Sequence, residues 1–388
     1  MSKTLIISHH RQLNTGWAKV AIDYIMAMDN AGLDISVRPL LLSEPESNIP
    51  DRIKELEQKP IRECKTLIQI VLPHHLEYNS NFKCIAVFFS ECDRLPSEWS
   101  TRLNMMDEVW VCNNQMMEAI INSGVKTKIR VILPPVNTEK YQRTYPKLQI
   151  LSSQLSGNFS FYFIGELNKR KNLSCVIKAF HSEFDTNEPV SLVIKSSKFG
   201  ASPNEVANNI QKISDEIKIG LKKYQNPNYY KRELVITNNM SDTDLLSLHS
   251  TCDCLVNAST GEAYGQPIID AMGLGKLAIV NSVGGPKDYV IGENEIKNNK
   301  KSKKKANGLT LTEHIREPAY GMLETFPFLF TSEETWLVPS TRELQERMRT
   351  AYEMDKKTRM NITANAIETI DAMCYNAFSQ KIKKILNG

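Results

Sequence analysis

The chain has 388 residues, of which 41% are hydrophobic and 24% charged, so its length favours two domains and its composition is ordinary for a globular protein. The formal net charge is +4, but six lysines fall within residues 297–305, and the remainder of the chain sums to 4 − 6 = −2. The basicity is therefore local, which argues against a nucleic-acid-binding protein as a whole.

The sequence begins without a basic segment followed by an apolar stretch, and no run approaches the roughly 18 apolar residues of a membrane span, so we expect neither a signal peptide nor a spanning helix. The eight cysteines are scattered through apolar stretches rather than paired in CxxC motifs, which indicates buried free thiols in a reducing compartment. We therefore expect a cytoplasmic protein. The pairs His9–His10 and His74–His75 have no cysteine or acid at metal spacing, so no metal site is expected; either pair can instead line a ligand cleft.

In the first half of the chain, short β-rich runs alternate with helical periodicity, which predicts a parallel α/β domain. The predicted strands lie at residues 4–8, 34–40, 65–72, 83–90, 108–112 and 129–134. A glycine-containing turn at 14–17 precedes a helix with Ala18, Ala21, Ile25 and Met28 on one face. Paired prolines within 133–141 close this domain.

A polar segment at 142–157 predicts a linker, after which the same alternation restarts. Strands are predicted at residues 159–164, 190–195, 234–237, 254–257 and 277–281, with helices at 172–184 and 206–221. The tail places six residues on one helical stripe and therefore predicts a terminal amphipathic helix: Ile367, Ile370, Cys374, Phe378, Ile382 and Ile385.

The most informative stretch is residues 259–275, STGEAYGQPIIDAMGLG, which lies between two predicted strands. Gly261 and Gly265 permit close approach of the backbone to a ligand, and Pro267 suits the first turn of a helix. The N-terminus of that helix presents free N–H groups and partial positive charge toward the loop, so the segment predicts a phosphate site.

Two carboxylates flank this predicted phosphate site. Glu262 precedes the helix, and Asp270 lies inside it eight positions later. A carboxylate at each end can bind two sets of hydroxyls with a diphosphate between them. The alternative, in which both are ordinary solvated acids, is disfavoured by the pattern as a whole.

This stretch resembles the E-x7-E motif of glycosyltransferase family 4, with Asp270 in place of the second Glu. Five further segments resemble the family in the same order: NTGWAKVAIDYIMAM at 14–28, SECDRLPSEW at 90–99, DEVWVCNNQMMEAIINSGV at 107–125, GELNKRKNLSCVIKAF at 165–180 and MSDTDLLSLHSTCDCLVNAS at 240–259. The resemblance covers roughly residues 1–290 and, less closely, 332–354.

The resemblance implies an α/β protein of GT-B architecture, with two Rossmann-like doubly wound domains facing across a cleft. It implies an acceptor-side domain at residues 1–145, a nucleotide-sugar-binding domain at 156–360 and a C-terminal helix at 361–388 that packs back on the first domain.

The implied enzyme is a hexosyltransferase-type glycosyltransferase that moves a sugar from a nucleoside-diphosphate sugar to an acceptor hydroxyl, with retention at the anomeric carbon. The acceptor would be a glycan, a lipid-linked sugar or a small molecule. No cofactor or metal is expected, because fixed cations would stabilise the leaving diphosphate.

By resemblance, Glu262, Lys171 and Glu91 are the candidate catalytic residues. Glu262 would contact hydroxyls of the donor sugar, and Lys171 would neutralise the diphosphate. The candidate donor-binding residues are Gly16, Arg170, Lys195, Tyr264, Gly265, Gln266 and Asp270. Among these, Asp270 would accept hydrogen bonds from ribose hydroxyls, and Gly16 would let the N-terminal loop approach the phosphate.

The chain departs from the family pattern at two places. Family members usually carry an arginine directly after the glycine that ends the first strand of the second domain, whereas this chain has Glu166. Arg170 and Lys195 are alternative sources of the second cation, although Lys195 can also be a lysine that only packs at a strand end. Many members carry a histidine near the reacting centre, where this chain has Ser-Glu-Cys at 90–92. Glu91 is therefore the candidate that orients or deprotonates the acceptor, unless it caps the following turn.

Two other activities remain open, a DNA-modifying glycosyltransferase and a nucleotide-sugar epimerase, as does a non-catalytic sugar-binding protein. The DNA-modifying alternative depends on contacts between the lysine-rich segment and backbone phosphates, although the composition of this segment favours a passive solvated loop. Alternatively, its charge could make weak contact with an anionic membrane or with DNA, and in the membrane case the protein would be peripheral at a membrane surface. The lysines concerned are Lys297, Lys300, Lys301, Lys303, Lys304 and Lys305.

Overall fold

The computed structural model describes residues 3–12, 15–42, 49–293, 305–319, 330–331 and 333–387. The chain divides into two compact units. The first comprises Met1–Lys140, Leu329–Glu334 and Ile370–Gly388, and the second comprises Tyr141–Phe328 and Thr335–Thr369.

The first unit is built on a parallel sheet of six described strands in the order β2-β1-β3-β4-β5-β6. The strands are β1 (Lys3–Ser8), β2 (Ile35–Pro39), β3 (Cys64–Ile70), β4 (Lys83–Val87), β5 (Glu108–Val111) and β6 (Ile129–Val131). The helices that connect them are α1 (Gly16–Asn30), α2 (Asp51–Gln58), α3 (Ser97–Met105) and α4 (Asn114–Asn122). The strands are largely buried, as expected for a parallel sheet covered on both faces.

The second unit contains another parallel sheet of six described strands, in the order β12-β11-β10-β7-β8-β9. Its strands are β7 (Phe159–Glu166), β8 (Val190–Ser197), β9 (Leu234–Ile236), β10 (Cys254–Asn257), β11 (Leu277–Asn281) and β12 (Leu309–Leu311). Its helices are α5 (Gln149–Ser152), α6 (Leu173–Glu183), α7 (Pro203–Leu221), α8 (Asp242–Thr251), α9 (Gln266–Gly273), α10 (Pro286–Tyr289), α11 (Thr341–Glu353) and α12 (Lys356–Asp371). The predicted α/β class, with two Rossmann-like units, is confirmed.

The strand order of the second sheet determines where its ligand site should lie. β7 comes first in the chain, and the strands that follow it are added first on the β8 side and then on the β10 side. Sheets of this type bind ligands beyond the carboxyl ends of the strands, at the point where the order reverses. In this unit, that point lies between β7 and β10.

Two features of the second unit were not predicted from the sequence. Leu151 and Leu155 are buried, and Tyr141 is the first residue of the unit, so the segment predicted as a linker contributes two buried side chains to this unit. A short antiparallel hairpin of β13 (His314–Pro318) and β14 (Thr335–Pro339) also follows β12.

The terminal stripe predicted one helix, but the structure contains two, because α12 ends at Asp371 and a separate α13 (Tyr375–Asn387) follows. The backbone N–H of Val136 donates to the carbonyl of Met373 at 2.9 Å, and Val136 forms a parallel β-bridge with Cys374. This pairing occupies backbone groups that a continuous helix would use internally, so the helix is interrupted there.

The last helix, α13, packs against α1 within the first unit. Phe378 meets Tyr24 edge to face, with 5.4 Å between ring centroids. The Tyr375 hydroxyl donates to the Asp23 carboxylate at 2.5 Å. An aromatic contact and a hydrogen bond thus tie the end of the chain to its first helix.

No described helix is long and apolar enough to cross a membrane. All eight cysteines are free thiols, and seven of them are buried. Of the six lysines in the basic segment, Lys305 is exposed, whereas the other five lie outside the described residues.

We predict that Phe378→Ala lowers the stability of the first unit, because it removes a ring that is only 6% exposed from the packing between α1 and α13. Truncation of a buried phenylalanine costs about 3–5 kcal/mol, so the urea midpoint should fall clearly. The matched control is Gln380→Ala on the exposed side of α13, which should remain within about 0.5 kcal/mol of wild type. Equal midpoints for wild type and Phe378→Ala would contradict the packing.

Candidate active site

The loop that follows β10 carries Glu262, a carboxylate that is only 5% exposed. One of its oxygens accepts a hydrogen bond from the Ser259 hydroxyl at 2.9 Å and also pairs with the Lys171 ammonium. The other oxygen lies 3.4 Å from the Arg170 guanidinium. Both cations come from the loop between β7 and α6, so the loops that follow the two strands at the reversal point contribute opposite charges. We call Glu262, Lys171, Arg170 and Ser259 the Glu262 cluster.

This cluster also fixes the backbone of the two loops. The Arg170 guanidinium donates to the carbonyl of Gly261 at 2.8 Å, and the Thr260 N–H donates to the carbonyl of Arg170 at 2.8 Å. Side-chain and main-chain bonds thus join the same pair of segments. The position of each charge is set by both loops, not by one flexible side chain.

Glu262 is ionised throughout the physiological range. Burial by itself would raise its pKa, but the charges of Lys171 and Arg170, together with hydrogen bonds from Lys171 and Ser259, lower the pKa to about 2. Because the folded-state pKa is below the ordinary value of 4.5, the ion pair stabilises the fold above about pH 4.5 and loses that effect as the pH falls toward 2. Glu262 is therefore an anion that holds cations, and it cannot donate a proton at neutral pH.

Two glycines after β11 allow the Glu262 loop to lie against the next strand end. Gly284 has a φ of +63°, and a Cβ atom there would come within 1.9 Å of the Glu262 carbonyl oxygen. The Gly285 N–H donates to that same carbonyl at 2.8 Å, and a Cβ at Gly285 would come within 2.2 Å of the Ala263 carbonyl. Only glycine fits at this approach.

Asn281, at the end of β11, holds the Glu262 loop in place through hydrogen bonds. Its side-chain amide donates to the carbonyl of Ser259 at 2.8 Å and to that of Leu337 at 3.1 Å. Its amide oxygen lies 2.7 Å from Nε2 of His314. The β13–β14 hairpin thus reaches Ser259, and through it Glu262, by a chain of hydrogen bonds.

Helix α9 begins directly after the loop. Gly265 has a φ of +81°, a conformation that favours glycine, and Pro267 lies in the first turn. Tyr264 is buried, and its carbonyl accepts from the Tyr289 hydroxyl at 2.5 Å. Gln266 is half-buried and starts the helix. The helix N-terminus, with its partial positive charge, therefore lies at the carboxyl edge of the sheet beside the Glu262 loop.

Asp270 lies one turn into α9, where its Oδ1 accepts from the Tyr141 hydroxyl at 2.7 Å and from the Gln266 amide at 3.0 Å. The ring of Tyr141 lies against Gly273, where an added Cβ would come within 2.4 Å of the ring. This glycine lets the tyrosine reach the carboxylate. The orientation of Asp270 is thus set by residues on both sides of it.

Lys195 lies near the carboxyl end of β8, where it pairs in register with Ile164 of β7. It is 7% exposed, and its ammonium donates to the Ser196 carbonyl at 3.3 Å. Burial lowers its pKa, and no carboxylate pairs with it among the described residues.

Glu166, in the position of the family's arginine, accepts from the amide of Asn168 at 3.0 Å and from the Phe199 N–H at 3.3 Å. The structure thus joins Arg170 to Glu262 and leaves Lys195 outside the cluster.

The two candidates from the first half of the sequence lie in the first unit. Gly16 is exposed and is the first residue of α1, where the Thr15 hydroxyl accepts from the Ala18 N–H at 3.3 Å. Glu91 is half-buried in the loop after β4. Among the described residues, no group of three histidine, cysteine or acidic side chains could hold a metal ion.

Part of the chain matches the model of a known protein family. Residues 152–317 match the family model of glycosyl transferases group 1, a range that contains Lys171, Lys195, Glu262 and Asp270. The match confirms the resemblance found in the sequence. No curated protein matches the chain in sequence.

Several solved structures share the fold over nearly the whole chain. The Anabaena protein Alr3699/HepE, in complex with UDP and glucose, is 16% identical, with 100% of each chain covered and a TM-score of 0.69. Sucrose-phosphate synthase from Thermosynechococcus elongatus is 15% identical, with 100% of this chain and 98% of that chain covered and a TM-score of 0.65. Trehalose-6-phosphate synthase OtsA is 10% identical, with 100% and 99% covered and a TM-score of 0.66. At these identities, the likeness shows the fold alone.

Sequence reasoning missed several residues that build this site. Gly284, Gly285 and the proline after them repeat the order of glycine, proline and helix seen at residues 265–267, and this repetition could have pointed to them. Tyr141 and His314 carry no such signal, because each meets its partner only in the folded chain.

We predict that Gly284→Ala displaces the Glu262 loop, because the new methyl group would overlap the Glu262 carbonyl and φ is positive at that position. Activity should fall at least tenfold, and the melting temperature should also fall. Gly220→Ala is the matched control, since no atom lies within 4 Å of the added Cβ and alanine favours helix α7 by up to about 1 kcal/mol. If Gly284→Ala keeps full activity, the close packing of the two loops is wrong.

Proposed function

We propose that this chain, a group 1 glycosyltransferase, moves a hexose from a UDP-sugar to an acceptor hydroxyl with retention at the anomeric carbon. The observation that carries the proposal is the ionised Glu262 held by Lys171 and Arg170 beside the N-terminus of α9, within the range that matches the family. The UDP-sugar class is suggested by the Anabaena protein, whose structure holds UDP and glucose.

In the proposed reaction, the bond between the anomeric carbon and the oxygen of the β-phosphate breaks, and the acceptor oxygen bonds to the same face of that carbon. The acceptor proton passes to the departing phosphate oxygen, so UDP leaves with the electron pair of the broken bond and the charges balance. The barrier lies mainly in the negative charge that develops on the diphosphate. Positive groups fixed near that charge before the reaction would lower the barrier.

Lys171, Arg170 and the N-terminus of α9 are the proposed source of that positive field. The cluster has two cations and one carboxylate, an excess of 2 − 1 = +1. Glu262 holds the cations at the loop, so they need not be ordered when the donor arrives. The prediction that Glu262 also contacts sugar hydroxyls is retained, with Ser259 and the loop backbone as its neighbours.

In this proposal, Asp270 binds the ribose of the donor. The backbone N–H groups of Tyr264, Gly265 and Gln266 bind the sugar and the phosphates. The Tyr141 hydroxyl and the Gln266 amide orient the carboxylate, which favours its use as a fixed hydrogen-bond acceptor. Lys195 remains a candidate second cation at the β8 strand end.

Two predictions concern the first unit: Gly16 lets the N-terminal loop approach the phosphate, and Glu91 orients or deprotonates the acceptor. Metal independence also remains a prediction, which the cations of the Glu262 cluster favour.

The test measures UDP release from UDP-glucose and UDP affinity in excess EDTA. Wild type should remain active, because Lys171 and Arg170 supply the positive charge in the proposal, and Lys171→Ala should lose at least 100-fold in turnover. Asp270→Ala should bind UDP more weakly by about 1.5–3 kcal/mol, roughly ten- to a hundredfold in Kd.

Glu216→Ala, an exposed carboxylate on α7, is the matched control and should behave like wild type. Abolition of activity by EDTA with recovery on adding a divalent ion would contradict the metal-free mechanism. Wild-type affinity of Asp270→Ala for UDP would contradict the ribose assignment, and conversion of UDP-glucose into an isomer without UDP release would contradict transfer itself.

A further inference from the structure

Three histidines meet at the carboxyl edge of the first sheet. His9 follows β1, and His74 and His75 follow β3. The ring centroids of His74 and His75 are 4.0 Å apart, and those of His9 and His75 are 5.6 Å apart at an angle of 72°. We call these three residues the histidine cluster.

The cluster lies at the reversal point of this sheet. β1 is followed by β2 on one side, and the chain then crosses to place β3 on the other side of β1. In parallel α/β sheets, the crevice beyond the carboxyl ends of two such strands is where ligands bind. The cluster therefore occupies the position in this unit that the Glu262 cluster occupies in the second.

His9 forms the fixed base of the cluster. Its Nδ1 donates to the carbonyl of Leu40 at 2.9 Å, and its Nε2 accepts from the N–H of Leu72 at 3.3 Å. Both ring nitrogens are therefore used within the protein. A role in the fold accounts fully for this histidine.

His74 and His75 differ from His9 in this respect. Nδ1 of His74 is buried without a hydrogen-bond partner, and the half-buried ring of His75 makes no hydrogen bond through its nitrogens within the described parts of the chain. A buried polar atom without a partner costs free energy, and a ligand with a matching group would recover it. Two adjacent imidazoles with unused nitrogens thus point to a polar ligand.

The charge around the cluster limits the nature of that ligand. Burial lowers the pKa of both His74 and His75, and the charge of Arg102 lowers both further. At His74 the charge of His75 also lowers the pKa, and Glu98 opposes the shift. The rings are thus neutral at pH 7. Arg102 is itself engaged, donating to the Leu76 carbonyl at 3.1 Å. Neutral imidazoles both donate and accept hydrogen bonds, as hydroxyl groups do, whereas a phosphate would need free positive charge.

We propose that His74 and His75 form a binding site for an uncharged, hydroxyl-rich ligand, a sugar or polyol, and that this ligand is the acceptor of the transfer reaction. Its role as the acceptor rests on the proposed function. The site itself does not, because the arrangement of the rings and the unpartnered Nδ1 of His74 belong to the first unit alone.

The test uses the full chain labelled with ¹³C and ¹⁵N at histidine, together with UDP-release assays. Glucose, galactose and sucrose are the uncharged probes, and glucose 6-phosphate is the charged probe. At least one uncharged probe should shift the ring resonances of His74 and His75 and accelerate UDP release from UDP-glucose. His75→Ala should raise the concentration needed for half-maximal acceleration at least tenfold without changing UDP affinity.

Two further variants separate ligand binding from packing. His75→Gln should keep most of the response, because an amide can also donate and accept hydrogen bonds. Tyr78→Ala, an exposed ring in the same loop, should match wild type. A response to glucose 6-phosphate alone, no resonance shift with any uncharged probe, or an unchanged sugar response in His75→Ala would overturn the proposal. If the resonances shift but wild type fails to bind UDP, the sugar site stands and the proposed donor chemistry fails.

Discussion

Glu262 can remain charged in its buried position only because Lys171 and Arg170 pair with it and Ser259 donates to it. Loss of one partner from such a buried pair typically costs about 3–5 kcal/mol, since the remaining charge has no compensation. The pair joins the loop after β7 to the loop after β10, across the point where the strand order reverses. The same interaction therefore holds the two loops together and places charged groups where a ligand is expected to bind.

Much of the surrounding structure serves to keep that carboxylate in place. The close approach of Gly284 and Gly285 allows the end of β11 to support the Glu262 backbone, and Asn281 connects the loop to the β13–β14 hairpin. In the proposed reaction, a site held by so many contacts would reorganise little when the donor binds, and fixed charges stabilise a developing charge most effectively under that condition.

The sequence predicted the parts of this arrangement that local patterns determine. Alternating strands and helices indicated two parallel sheets, and residues 259–275 identified the loop, its helix and both carboxylates. It could not predict that Tyr141 reaches Asp270 across 129 positions of sequence, or that Val136 pairs with residue 374 and interrupts the last helix. These contacts depend on packing between distant segments, so the local hydrophobic periodicity of the sequence cannot predict them. From the sequence, Arg170 and Lys195 were both candidates for the second cation. Only the fold shows that Arg170 is the one that contacts Glu262.

Hydrogen exchange of the full chain with and without UDP, read by mass spectrometry, shows whether the loop after β10 binds the donor. If the Glu262 cluster and the N-terminus of α9 hold the diphosphate, UDP should slow exchange in peptides covering residues 165–173, 259–271 and 281–286. Peptides from the opposite ends of the same strands should change little. Unchanged exchange in the 259–271 peptides, despite saturating UDP, would contradict the assignment of this loop as the donor site.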